Sequence, residues 1–211
     1  MKSFLRARHN GGFTLIELMI VVAIVSILAL LAIFGVSKFM AAAKTAEATS
    51  TIGQINSLAM QAYNRENGNA QLLLKGGSSG LAHSLCGRSS PVPESPAAVM
   101  NRKYVPNPNG DYQALKPSRN DNQNGWRCLK HEMTEGQYYQ YAYTGSAGEP
   151  SEVSPQLGTP AGLPQGANWF AEAEGDLDGD GLKSRFVTGG GISRQGTAVP
   201  FTQIVIENAE E

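Results

Sequence analysis

The chain has 211 residues, with 17 Lys and Arg against 18 Asp and Glu, a formal net charge of −1. Its mean hydropathy is −0.23, and this near-neutrality excludes a nucleic-acid binder working by bulk charge. Two cysteines exclude a disulfide-rich scaffold, and the length allows one ordinary domain plus an anchor. These averages conceal a division. From Phe13 to Val36, 20 of 24 residues are apolar and the only charge is Glu17, whereas all 11 prolines follow residue 90.

Residues 1–12 carry Lys2, Arg6 and Arg8 and no acid. A basic start before a long apolar run is an export pattern, and it predicts a cytoplasmic N-terminus with the C-terminal part exported. A run of about 20 residues or more is long enough to span a bilayer as a helix. It exceeds the apolar region of a secretory signal peptide, although Ala41, Ala42 and Ala43 leave a signal-peptidase site open on composition alone. A carboxylate inside such a span is costly by a few kcal/mol. Glu17 is therefore either functional or a helix-end acid that reaches the headgroups.

Residues 11–24, Gly-Gly-Phe-Thr-Leu-Ile-Glu-Leu-Met-Ile-Val-Val-Ala-Ile, with the basic leader before them, closely resemble the N-terminal signature of type IV pilins and pseudopilins. The resemblance implies cleavage between Gly12 and Phe13 by a prepilin peptidase on the cytoplasmic face, followed by N-methylation of Phe13. Losing the three leader positives leaves 14 basic against 18 acidic residues, a formal charge of −4. It also implies that residues 13–36 anchor the precursor in the bacterial inner membrane and later form a fibre core. There, Glu17 of an incoming subunit pairs with the Phe13 amine of a neighbour. Two charges that leave water together are tolerable when paired, and such a pair sets register more than it adds stability. Many major pilins carry a Gly and a Pro near the positions held here by Ser26 and Phe34, so this chain is expected to form a more continuous helix.

Residues 37–66 extend the helix. They contain no Pro and seven Ala between Ala41 and Ala62. Phe39, Ala42, Ala46, Thr49, Ile52, Ile55, Ala59 and Ala62 recur at steps of three or four and define one mildly apolar face. Asn67-Gly68 is the stop signal. One helix from Phe13 to about Glu66 would be roughly 80 Å long.

Residues 67–136 read as a loop-rich connection, with a flexible cluster at Gly76–Gly80 and a short helix opened by Ser95-Pro96 and running to about Arg102. Cys86 and Cys128 are expected to pair in an exported, oxidising compartment, the alternative being two buried free thiols. His83 and His131 make a Cys2His2 zinc site formally possible, but the spacing fits no finger pattern.

Residues 137–211 carry the strand signals: Tyr138–Thr144, Trp169–Ala173, Arg185–Thr188 and Phe201–Glu207. Four strands with short connections predict an antiparallel sheet whose apolar face covers the amphipathic half of the helix. The fold class is thus α+β, a long N-terminal helix packed on a C-terminal sheet, as the pilin resemblance also implies. Between the second and third strands, Asp176, Asp178 and Asp180 alternate and are followed by Gly181. Such a loop can wrap its oxygens around Ca²⁺, although the twelfth position, where an EF-hand places a bidentate Glu, is Val187. A plain polar turn explains the same residues.

No nucleophile elbow, phosphate loop or nucleotide fingerprint is present, so no enzyme activity is expected. The expected function is that of a pilin that self-assembles into a helical surface fibre, with prepilin peptidase and an assembly machinery as partners. Its alternatives are a minor pilin or type II secretion pseudopilin, and a monomeric membrane-anchored binding module. Motility, adhesion and DNA uptake reuse one anchor, so a nucleic-acid partner stays open.

Overall fold

The structure, a computed structural model, describes residues 12–65, 83–113, 125–146 and 152–209. The leader charges, the Asn67-Gly68 stop and the Gly76–Gly80 cluster lie outside the described residues. The elements in chain order are α1 (Leu15–Asn64), a 3-10 turn (Pro96–Ala98), α2 (Gly125–Leu129), β1 (Gln140–Gly145), β2 (Trp169–Gly175), β3 (Ser184–Ile192), β4 (Ala198–Pro200) and β5 (Val205–Glu207). The molecule is α+β, with a long N-terminal helix and a C-terminal antiparallel sheet. Contacts divide the chain into two compact units, ending and beginning at Ala41 and Ala42.

The first unit contributes the apolar part of α1. This helix runs through Ser26 and Gly35 without interruption. The Ser26 hydroxyl donates back to the Val22 carbonyl at 2.7 Å and that of Ser37 to Ile33 at 3.1 Å, so both polar side chains are satisfied within the helix. Among the described residues nothing buries the apolar window of this helix.

The second unit is built around the rest of α1. Ala48, Ile52, Ile55, Ala59, Ala62 and Tyr63 form one face that packs into the main core. From Ile52 onward this is the predicted stripe. Upstream it is not: Phe39, Ala42 and Ala46 are exposed, and Ala48 and Thr51 are buried instead. Alanine is too weakly apolar to fix the phase of a stripe, and the larger residues around Ile52 set it.

The sheet runs β1-β2-β3-β4, all antiparallel, with β5 also paired to β3. Strand alternation sends Tyr139, Tyr141, Tyr143, Trp169, Ala171, Ala173 and Phe186 into the helix-facing core. Trp169 is fully buried, and its indole N–H donates to Asn56 Oδ1 of α1 at 2.7 Å. The indole packs against Gly190, where a β-carbon would fall 2.1 Å from Trp169 Cζ2, so a side chain at 190 would displace it. Glu47 ties the same helix to β1: its Oε1 accepts from the Tyr138 N–H at 2.9 Å and the Tyr141 hydroxyl at 3.3 Å.

The opposite sheet face is covered too. Phe170 and Val187 form a smaller cluster with Ala167, joined by Val153, Leu163 and Phe201. At its side Glu172, fully buried, accepts from the N–H groups of Gln156 (3.0 Å) and Leu157 (2.7 Å) and from the Thr144 hydroxyl (3.2 Å). One carboxylate thereby fastens the segment around residue 156 onto the sheet. Burial raises its pKa above the ordinary carboxylate value, against the opposing effect of those donors.

Several elements depart from the sequence reading. The helix expected from Ser95 to Arg102 contracts to a 3-10 turn, and Ser95 makes no side-chain cap. Beyond the turn the chain is captured by long-range bonds, Asn101 N–H to the Asp176 carbonyl (2.9 Å) and Tyr104 to Gln137 in both directions. Helix α2 stands inside the stretch read as loop. The expected last strand, Phe201–Glu207, contracts to β5, which pairs with Arg185–Val187, and β4 before it, which pairs with Gly190–Ile192, was not expected.

Candidate functional site

Three groups of predicted residues fall in different places. The N-terminal group, Gly12, Phe13 and Glu17, lies at the start of α1. Gly12 and Phe13 precede the helix, and Phe13 is 91% exposed. Thr14 caps the helix. Its backbone N–H and its hydroxyl each donate to Glu17 Oε2 at 2.8 Å, while the Glu17 N–H donates to Thr14 Oγ1 at 3.3 Å. This is a capping box, Thr at the N-cap and Glu three residues on, which satisfies two of the donors that every helix start leaves open. The Thr14-x-x-Glu17 spacing is the sequence signal for it. A carboxylate accepts about four hydrogen bonds, so capping by Thr14 leaves Glu17 able to take an ammonium as well. An amine at Phe13 would sit one helical turn away along the same end.

The second group is the cysteine pair. Cys86 and Cys128 are joined by a disulfide with a Cα–Cα distance of 5.6 Å, and among the described residues no cysteine is free. With both sulfurs in that bond, the free-thiol and Cys2His2 alternatives have no ligands to offer. His83 Nδ1 lies 3.0 Å from the Tyr63 carbonyl. His131 is buried among Tyr112 and Trp126, with ring centroids 5.4 Å from each. Desolvation lowers its pKa to about 4, so it is neutral at pH 7. The disulfide holds α2 against Cys86, and the Arg65 guanidinium closes the same corner by donating to the Cys128 carbonyl at 2.6 Å.

The third group is the acidic loop, which connects β2 to β3 from Asp176 to Lys183. One oxygen from each of Asp176, Asp178 and Asp180 lies within 4.8 Å of the others, with Asp176 buried and the other two exposed. All three also accept from the loop backbone. Asp176 takes Gly179 N–H (2.6 Å) and Gly181 N–H (3.1 Å), Asp178 takes Asp180 N–H (3.1 Å), and Asp180 takes Leu182 N–H (2.7 Å). Gly179 and Gly181 have φ of +86° and +95°, the left-handed region in which a β-carbon is strained. The glycines and carboxylates thus give the loop its shape without an ion, and they leave oxygens converging on one point.

Comparison with known proteins bears on the first group. Residues 7–33 match the family described as the prokaryotic N-terminal methylation motif. This is the class III signal-sequence motif of type IV pilins and pseudopilins, and it supports a pilin- or pseudopilin-like prepilin. The motif points to a structural subunit processed by prepilin peptidase, and with the apolar helix it fits a membrane-anchored precursor. No curated protein and no solved structure matches the chain.

Proposed function

We propose that the chain is cut between Gly12 and Phe13, methylated on the new Phe13 amine, and assembled through residues 13–36 into a helical, type IV pilus-like surface fibre of its own copies. Before assembly it spans the inner membrane once, with its N-terminus cytoplasmic. One observation carries this reading: every large apolar side chain from Phe13 to Met40 is more than half exposed on all sides of α1. A helix apolar all round is buried in lipid or in a bundle of other helices. A single-pass anchor needs only lipid. The methylation motif and a carboxylate at the fifth residue of the expected mature chain favour a second life among helices.

The pseudopilin of a type II secretion system is the second reading, favoured by the uninterrupted, proline-free helix. In that case copies assemble only beside a secretion apparatus. The acidic loop is compatible with Ca²⁺ held by Asp176, Asp178 and Asp180 in either reading, at the modest affinity of extracellular sites. A calorimetric titration tests it, and a flat titration with unchanged melting in chelator leaves the loop as a turn.

The processing step is tested by intact-mass analysis after co-expression with a prepilin peptidase. The expected product begins at Phe13, carries one extra methyl group and retains the disulfide. A chain that keeps residues 1–12, or one cut after Ala43, overturns the reading.

A further inference from the structure

Two ammonium groups converge on one ring in the second unit. Lys44 Nζ, from α1, lies 5.0 Å from the centroid of Tyr138, and Lys103 Nζ lies 5.3 Å from it. The two charges are therefore at most about 10 Å apart, the sum of those distances. Neither lysine is loosely placed. The Lys103 stem is laid across Gly136, where a β-carbon would meet its Cε at 2.7 Å. The ring itself is fixed by the Tyr138 N–H bond to Glu47 and by the Tyr104–Gln137 bridge beside it. Among the described residues neither lysine joins an ion pair; the pairs there use Lys183 and Arg185. Glu47, the nearest carboxylate on α1, turns Oε1 to Tyr138 and Tyr141 and is in no ion pair with either lysine among the described residues.

Attraction to a π face holds each ammonium in place but does not neutralise it. Two ordered cations that form no ion pair among the described residues suit an anionic partner. Position in the chain says which. Lys44 follows the apolar run by eight residues on the unbroken α1, with Lys38 between. Lys and Tyr are the residue types that settle at a membrane–water interface, and juxtamembrane lysines are attracted to acidic lipids. The expected mature charge of −4 opposes such a surface, as do the exposed Asp178 and Asp180, whose loop is tied to Asn101. The contact must therefore be local, acting within a Debye length of about 8–10 Å.

We propose that Lys44 and Lys103, ordered over Tyr138, hold anionic phospholipid headgroups of the membrane in which the precursor is anchored, and so steady the exported unit before assembly. This rests on the membrane-anchored reading above. The test uses the full chain reconstituted in vesicles of zwitterionic lipid alone or with about a third anionic lipid, at matched protein-to-lipid ratios. Flotation checks the anchor: the chain should float with both. Labelling by a water-soluble amine reagent, read by mass spectrometry, then checks the proposal. Lys44 and Lys103 should each be protected about fivefold in the anionic vesicles, following about 1 kcal/mol of attraction per lysine. Protection should vanish at about 1 M salt, and Lys130 should be unaffected. Equal labelling in both vesicle types, with flotation intact, overturns the lipid contact while leaving the anchor standing. Protection that follows protein density rather than lipid charge assigns the lysines to a second copy. Equal protection by inorganic phosphate in detergent assigns them to a free anion. Either result overturns the proposal. The variant K103Q should lower the protection of Lys44 without changing flotation, and undiminished protection of Lys44 would contradict the paired arrangement.

Discussion

One helix is used in two ways. In its first half Leu28 is 58% exposed and its apolar neighbours are comparable, and in its second half Ile52 and Ile55 are fully buried. Both halves belong to one continuous helix; what differs is where the partner surface comes from. The second half is covered by the chain's own sheet through Tyr141, Trp169 and Phe186. The first has no partner among the described residues. A buried helix face needs a narrow apolar stripe with polar residues elsewhere, and residues 48–63 have one. Residues 15–36 are apolar on every face, the pattern of a segment whose surroundings are apolar in all directions. Burial of the first half is thus a property of an assembly or a membrane, and burial of the second a property of the fold.

This contrast can be broken by perturbing each half and reading the stability of the folded unit. The largest effect is expected from the cross-link. The Cys86–Cys128 bond spans a sequence separation of 42, and in the chain-entropy account its loss costs about 4 kcal/mol. Denaturant unfolding of the C86S/C128S double variant in detergent measures it, and a loss below about 1 kcal/mol would mean that the unit does not depend on the link. Next, Ile52→Ala opens a cavity under the sheet and should cost about 3 kcal/mol, by the same assay.

Acid should act through His131. Its pKa in the folded chain is lowered to about 4 from 6.5, so between those values the unfolded chain binds a proton that the native chain refuses. Stability is full above pH 6.5 and declines as the pH falls towards 4, by at most about 3 kcal/mol. Glu172 works in the opposite sense. Its raised pKa lets the native state take up a proton before the unfolded one does, so its contribution rises on acidification and sets itself against that of His131. Unfolding curves of the H131Q variant between pH 7 and 4 should therefore lose most of the decline, and a slope equal to the parent's would assign the acid sensitivity elsewhere. The smallest effect belongs to the other half of α1. Leu28→Ala should change the unfolding of the second unit by less than about 0.5 kcal/mol, because Leu28 is already largely exposed. A large loss would erase the distinction between the halves.

How much was readable in advance follows the same division. The helix and the N-terminal signature are encoded locally, by an unbroken apolar run, absent prolines and a fixed order of residues, and both were legible. The cores of β1, β2 and β3 were legible from their aromatic and β-branched residues. β4 was not, and β5 was read four residues too long, because strands of three residues carry too little pattern and are specified by pairing with β3. The phase of the amphipathic face was legible from Ile52 onward and not among the alanines before it. The clamp formed by Glu172 had no local signal at all. Its partners at 144, 156 and 157 come together only when the sheet is built. The Asp176–Asp180 loop was visible as a constellation. Its hydrogen bonds to the loop N–H groups depend on two left-handed glycines, which the sequence shows only as glycines.

The central claim is that the apolar half is an assembly device in which Glu17 has a partner outside its own chain. Thr14 already satisfies part of that carboxylate, so removing it costs the isolated subunit only a helix cap, about 1 kcal/mol at a frayed end. The decisive measurement is the fraction of processed Glu17→Ala chain that enters sedimentable fibres in cells producing prepilin peptidase and the assembly machinery, relative to the parent chain. The account predicts normal membrane insertion and cleavage, with incorporation reduced at least tenfold. Incorporation equal to the parent's would contradict it.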